Sequence, residues 1–360
     1  MDHKSFVRTA LLLSVCVLGL ARAASVPSYK VDPFWPKPLP NNWIIGSIGG
    51  ITVDSSDHVW ILQRPRSLTP EEAGAVQNPP LSTCCVPAPA VIEFDAQGNV
   101  VQAWGGPGAG YDWPENEHGI HVDAKGFVWT AGNGEKDGVL LKFTRNGKFV
   151  MQIGGIGPSK GSNDSTILGG PADFTVDTQA NEIYIADGYH NRRVIVFDTE
   201  TGAYKRHWGA YGNKPIDGPV TYNPQGPLPQ QFNEPVHCVK LSKDGFVHVC
   251  DRRNDRIQVF RKDGTFVREL RVAPATLGNG TAGDAVPWPK GDQPYLVVAN
   301  SEQRTVDILD RKTGQVVGSF GRGGRWAGQF YQLHDLAVDS HGNVFTGEIG
   351  GKRVQKLKVQ

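Results

Sequence analysis

Surplus charge is the first thing this chain lacks: Lys and Arg total 37 against 36 Asp and Glu. Without a basic excess nothing points to nucleic acid as a partner, and without an acidic block there is no solvating tail. Helical periodicity is lacking too, because apolar residues alternate over short runs such as Val194-Ile195-Val196-Phe197 and no long 3.6-residue stripe appears. The chain reads as all-β. Long apolar runs are missing as well, the run Ala10 to Leu20 being shorter than the roughly 20 residues a membrane span requires. Lys4 and Arg8 precede that run and Ala21-Arg22-Ala23 follows it, which predicts a signal peptide over 1–23 and a mature chain over 24–360. Cys16 lies inside it without a lipobox context. A soluble, secreted or periplasmic monomer, not bound to a membrane, is expected. Cysteine is scarce, and the four left after export are Cys84, Cys85, Cys238 and Cys250. In an oxidising compartment disulfides are the default. Cys238 and Cys250 fall on consecutive strands and can be stapled; Cys84 and Cys85 can form a vicinal bridge, pair elsewhere or stay free.

What the chain has in quantity is turns, with Gly 44 and Pro 25 in 360 residues. Between them one phrase recurs: a strand ending in Val-Asp, a second strand, a third ending in Phe, and a fourth ending in Trp-Gly or similar. Copies begin near Gly50, Gly119, Ala172, His237, Asp284 and His334. Six units of about 40 to 50 residues with four strands each predict a six-bladed β-propeller. The sixth copy runs out after its third strand, while Tyr29 to Phe34 lies unassigned upstream of the first. That segment is expected to complete the last blade and remove an exposed edge. The fifth copy is interrupted early by Pro287, Pro289 and Pro294, and the first carries a long insert from Pro65 to Pro89. A loop of that length is usually functional or disordered.

His118, His237 and His334 occupy one register position in copies two, four and six, whereas copies one and three have Gly49 and Ala172 there. The start of a blade's first strand points at the channel axis, and alternate blades of six stand about 120° apart by symmetry. Three imidazoles should therefore converge as a tripod with an open coordination position, the arrangement of catalytic zinc. The loops between second and third strands form the rim above. They carry Arg64, Tyr189 and Arg252, a carboxylate clamp and a phenol able to move a proton. His58, His121, His190, His207, His248 and His341 show no such pattern and are expected at the surface or in packing.

Asp187-Gly188-Tyr189-His190-Asn191-Arg192-Arg193 and Asp251-Arg252-Arg253-Asn254-Asp255-Arg256 resemble the NHL repeat, which fixes a fold and not a function. Together with His118-Gly119 and His334-Asp335, these stretches look like the motifs of peptidyl-α-hydroxyglycine α-amidating lyase, a six-bladed NHL propeller. That resemblance implies zinc on His118, His237 and His334, Tyr189 as base, and Arg64 on the substrate carboxylate, with Arg252 a further rim match. It also implies a structural calcium held by Asp335 and the backbone carbonyls of Ile51 and Ile120. Two residues depart from the family pattern. Gln332 stands where the family has methionine, and His190 where it has a disulfide cysteine. The expected activity is a zinc-dependent lyase cleaving the N–C bond of an α-hydroxyglycine-type carbinolamide, peptide or small ureido or amido hydroxy acid, to an amide and glyoxylate. A metal-dependent esterase or lactonase, or a non-catalytic propeller binding a protein or glycan, remain the alternatives. Asn163-Asp164-Ser165 and Asn279-Gly280-Thr281 are glycosylation sequons in a eukaryotic source.

Overall fold

The computed structural model describes Met1 and residues 25–360, so the expected signal peptide lies outside the described residues apart from Met1. Six four-stranded antiparallel sheets are present, one per repeat. Their inner strands are Ser47–Val53, Glu117–Val122, Pro171–Asp177, Val236–Leu241, Ala282–Pro287 and Leu333–Val338. Each inner strand contacts the next, and the sixth contacts the first, so the ring is closed. Among the described residues the helical segments are four 3-10 turns of three residues each. No helix there is long and apolar enough to cross a membrane.

The second strands show why the repeat folds as it does. Val128–Gly132 and Val247–Asp251 are buried along their whole length, because each lies between sheet neighbours and is packed by the adjoining blades. Each buried valine there, Val128, Val247 and Val249, contributes about 1.5–3 kcal/mol. Closure follows the expected route: Tyr29–Asp32 pairs antiparallel with Arg353–Val359, Tyr29 opposite Val359, and covers the edge of blade six. Blade five is complete. Pro287 ends its inner strand, and Pro289 and Pro294 fall in the turn before Tyr295–Asn300, where no ladder N–H is needed.

Both candidate disulfides form. Cys238 and Cys250 are direct partners across blade four with Cα atoms 4.7 Å apart, and Cys84 is bonded to Cys85. The Pro65–Pro89 insert is ordered and tied down at both sides. Arg66 donates to the Pro114 carbonyl at 2.8 Å, and Lys352 of blade six donates to the Ser67 carbonyl at 2.9 Å.

The aspartate and arginine of the repeat motif hold the rim loops. Arg193 donates to Asp187 Oδ2 at 2.8 Å in blade three, and Arg256 to Asp251 Oδ2 at 2.8 Å in blade four, all four side chains being fully buried. Asn191 and Asn254 donate to the same carboxylates at 2.8 Å each. Breaking such a pair leaves an uncompensated buried charge, which costs about 3–5 kcal/mol. These motifs therefore fix the loops that carry Tyr189 and Arg252 without touching the cavity themselves.

Candidate metal centre

A bulge aims the histidines. In every inner strand the ladder skips at one place: Gly49, His118-Gly119, Ala172, His237, Gly283 and His334 have no partner on the second strand. A bulged residue bends the strand and redirects its side chain, and here the redirection is toward the axis. The three rings meet there with centroids 5.2, 4.7 and 4.9 Å apart, and one ligand nitrogen from each lies within 4.8 Å of the other two. All three histidines are buried.

The blades between them fix which nitrogen faces inward. His118 Nδ1 is 2.8 Å from the Ala172 carbonyl and His237 Nδ1 is 2.6 Å from the Gly283 carbonyl, each the bulge residue of the following blade. A carbonyl can only accept, so both Nδ1 atoms carry the proton and both Nε2 atoms keep a lone pair. His334 has the Gly49 and Ile48 backbone beside it, close enough to favour its charged form, but its Nδ1 makes no well-aligned bond. Burial, before any other cause, pushes all three imidazoles well below the usual histidine value. For His118 the other two histidines and Arg64 add to this, for His237 Arg252 and His334, and for His334 Arg64 and Arg252. They are neutral, which is the ligating form.

Tyr189 stands over the tripod, its hydroxyl 2.8 Å from His118 Nε2 and 3.2 Å from His237 Nε2. One O–H cannot satisfy two lone pairs, so the count of donors and acceptors leaves the centre electron-rich and suited to a cation. The loop can reach this far inward because the preceding residue is glycine. A Cβ on Gly188 would lie 2.1 Å from the Val236 carbonyl oxygen.

Above the tripod is a cavity of about 290 Å³ lined by Arg64, Asn133, Tyr189, Arg252, Arg304 and Gln332 among others. It is at the small end of ligand pockets. Arg64 donates from Nε to the Glu117 carbonyl at 2.6 Å, and Arg252 from Nε to the Asn279 carbonyl at 2.9 Å, so both heads are fixed from behind. Burial lowers the Arg64 guanidinium below the usual arginine value, opposed by Tyr189, Glu117 and Asp137, and it remains a cation at neutral pH. Among the described residues none of Arg64, Arg252 and Arg304 forms an ion pair. The arrangement offers a cationic, water-accessible bowl above an electron-rich centre, which suits a small anion that must also meet a metal.

The structure thus brings His118, His237, His334, Tyr189, Arg64 and Arg252 to one place, as the sequence led us to expect. His190 turns away to the Gly134 carbonyl at 3.3 Å. Sequence reasoning missed Arg304, which lies between the second and third strands of blade five, in the loop that corresponds to the one carrying Arg252 in blade four. It also missed Lys240.

Lys240 changes the layer where calcium was expected. Asp335 Oδ2 accepts the Ile51 N–H at 3.0 Å, so Ile51 meets this carboxylate through its amide. The Lys240 ammonium, 2.9 Å from Asp173 Oδ2 and 3.5 Å from Asp284 Oδ1, already supplies a cation there. The layer in which Asp335 and the Ile51 and Ile120 carbonyls were expected to hold calcium thus also contains two further carboxylates and one ammonium. Burial, opposed by Lys240, raises the Asp173 carboxyl to about 6, and burial also makes Lys240 costly, which its three aspartate neighbours more than offset. His121, beside Lys240, is held down to about 3 by burial first and then by that ammonium.

No family profile matches the chain. It is 25% identical over 253 residues to peptidyl-glycine alpha-amidating monooxygenase B of Xenopus laevis, covering 67% of this chain and 26% of that protein, so it spans about a quarter of that relative's length. It is 27% identical to NHL repeat-containing protein 3 of Mus musculus, over 92% of this chain and 84% of the other. A protein of Caenorhabditis elegans named "Probable peptidyl-alpha-hydroxyglycine alpha-amidating lyase" is 23% identical over 88% and 83%. Among solved structures, a catalytically inactive virginiamycin B lyase from Staphylococcus aureus superposes with a TM-score of 0.51 at 14% identity, covering 92% of this chain and 88% of that one. A protein of unknown function from Bacteroides thetaiotaomicron gives 0.53 at 16%, over 88% and 70%. These two superpositions show the fold alone. The chain is a six-bladed NHL-type propeller with distant similarity to the amidating lyases.

Proposed function

We propose that this chain is a zinc-dependent lyase that splits the N–C bond of a small carbinolamide bearing a carboxylate, giving an amide and glyoxylate. The observation that carries this reading is the meeting of two fixed Nε2 lone pairs with a single phenol O–H at the floor of a cationic cavity. His118, His237 and His334 would hold the zinc. When bound, zinc supplies Lewis acidity toward the substrate's hydroxyl oxygen.

This chain's own residues supply the rest. Arg64 and Arg252, anchored from behind by backbone carbonyls, hold the carboxylate and orient the carbinol carbon over the tripod. Tyr189, as the phenolate, would lie where it can accept the carbinol proton. As the C–O bond becomes C=O, the C–N bond breaks, its electron pair goes to the amide nitrogen, and the proton returns there. No water is consumed. The cavity of about 290 Å³ favours a small amido or ureido hydroxy acid, or the terminal residue of a peptide whose remainder stays outside. The two disulfides support an exported, oxidising setting.

The test is to measure metal in the purified protein and assay it with a carbinolamide and with an ester panel. Stoichiometric zinc with glyoxylate release is expected. Ester turnover with solvent oxygen in the product and no glyoxylate would replace the lyase by a hydrolase on the same tripod.

A further inference from the structure

One residue past the bulge, the inner strands carry Gly50, Gly119, Asp173, Cys238, Asp284 and Asp335 in turn. The three carboxylates are clips between blades. Asp173 Oδ2 accepts the Val239 N–H at 2.9 Å, joining blade three to four; Asp284 Oδ2 accepts the Leu336 N–H at 3.4 Å, joining five to six. Asp335 joins six to one through Ile51. These amides are neutral, so three buried carboxylates in one layer still need positive charge.

Lys240, three residues past His237 in blade four, provides one unit of it. Its ammonium has Asp173 on one side and Asp284 on the other, at 2.9 and 3.5 Å. Among the described residues it is the cationic side chain within ion-pair distance of those two aspartates. An ammonium is a compact charge with three donors, and here two of them face carboxylates. A calcium ion requires 6–8 oxygens at about 2.3–2.6 Å. Drawing Asp173 and Asp284 into such a shell would set a dication against the ammonium they already hold.

We propose that Lys240 is the resident cation of the axial layer, tying blades three and five through blade four, and that it makes a divalent ion there unnecessary. The inference is independent of the lyase reading, since it concerns what holds the ring and not what the cavity turns over.

The experiment uses the full chain in zinc-supplemented, calcium-depleted buffer, with elemental analysis and thermal unfolding before and after adding millimolar calcium. The wild-type protein should carry no stoichiometric calcium, and its melting temperature should not move when calcium is added. Lys240→Met keeps the length and removes the charge; it should melt several degrees lower and recover part of the loss with calcium. Stoichiometric calcium in the wild-type protein, a wild-type melting temperature that rises with calcium, or a Lys240→Met protein as stable as wild type overturns the proposal. If Lys240→Met does not fold, the wild-type measurements decide alone. Zinc content, read in the same analysis, reports on the tripod separately.

Discussion

The layers on either side of the tripod differ in how they use charge. Above it, Arg64, Arg252 and Arg304 reach a cavity with no ion pair to any described carboxylate. Below it, Asp173, Asp284 and Asp335 each accept an amide from the next blade, and Lys240 is salt-bridged to two of them. The difference separates binding from holding. Groups that hold the ring have satisfied one another, whereas groups with free N–H donors facing a cavity are kept for something that arrives from solution.

The contrast is broken most severely by removing a member of the tripod. His237→Ala should bring metal content close to zero and lower turnover by about 10³-fold, the several kcal/mol that a Lewis acid supplies. Metal analysis beside the kinetics checks this, and full metal retention would mean that the three imidazoles are not the ligands. Tyr189→Phe should cost on the order of 10²–10³-fold in turnover with metal retained, because the proton acceptor is lost and the lone pairs are not. Equal loss of metal and rate would make Tyr189 part of the centre's framework instead.

A pH scan of the metal-free protein sharpens the comparison. The three imidazoles are held below the ordinary histidine value, so on acidification the unfolded chain takes up their protons first, below about pH 6.5. Their contribution to stability is therefore complete above that pH and is lost as pH falls, by up to about 1.4 kcal/mol per pH unit for each histidine that stays neutral in the fold. Asp173 runs the other way. Its carboxyl is raised to about 6, so its contribution is complete below about pH 4 and lost as pH rises through 6. Melting temperatures between pH 7.5 and 5 should fall with pH, since the tripod histidines act together with His121, His248 and His207, all held down by burial, and outnumber the raised carboxyls of Asp173, Asp251, Asp255 and Asp335. The smallest effect is expected at the outer rim, where Arg304→Gln should raise KM about five-fold and leave kcat unchanged, about 1 kcal/mol of uniform binding.

The fold was legible because the repeat repeats: Val-Asp closes the inner strand in copies one, two, three and six, Phe falls near the end of the third strand in copies one to four, the Asp-Arg loop recurs in copies three and four, and even the closing strand at Tyr29 could be placed by counting strands. The tripod was legible for the same reason, as His118, His237 and His334 share a register. What stayed hidden needed neighbours. That Ala172 and Gly283 orient the histidines is a statement about carbonyls of the adjoining blades, which carry no side-chain signal. Asp173 and Asp284 share the register of Asp335 and could have been found by extending the comparison one residue, but Lys240 belongs to another register position and meets them only between adjoining blades. Arg304 was obscured by the prolines that blurred blade five.

The clasp between Tyr29–Asp32 and Arg353–Val359 bears on the order in which the molecule assembles. Its partners lie at opposite ends of the described sequence, so it is the pairing with the greatest loop-closure entropy and the slowest kind to form. His334 is in the blade that this clasp completes. If that clasp forms last, the third ligand is fixed only once the ring has shut, and uptake of a metal by blades two, four and six would report ring closure.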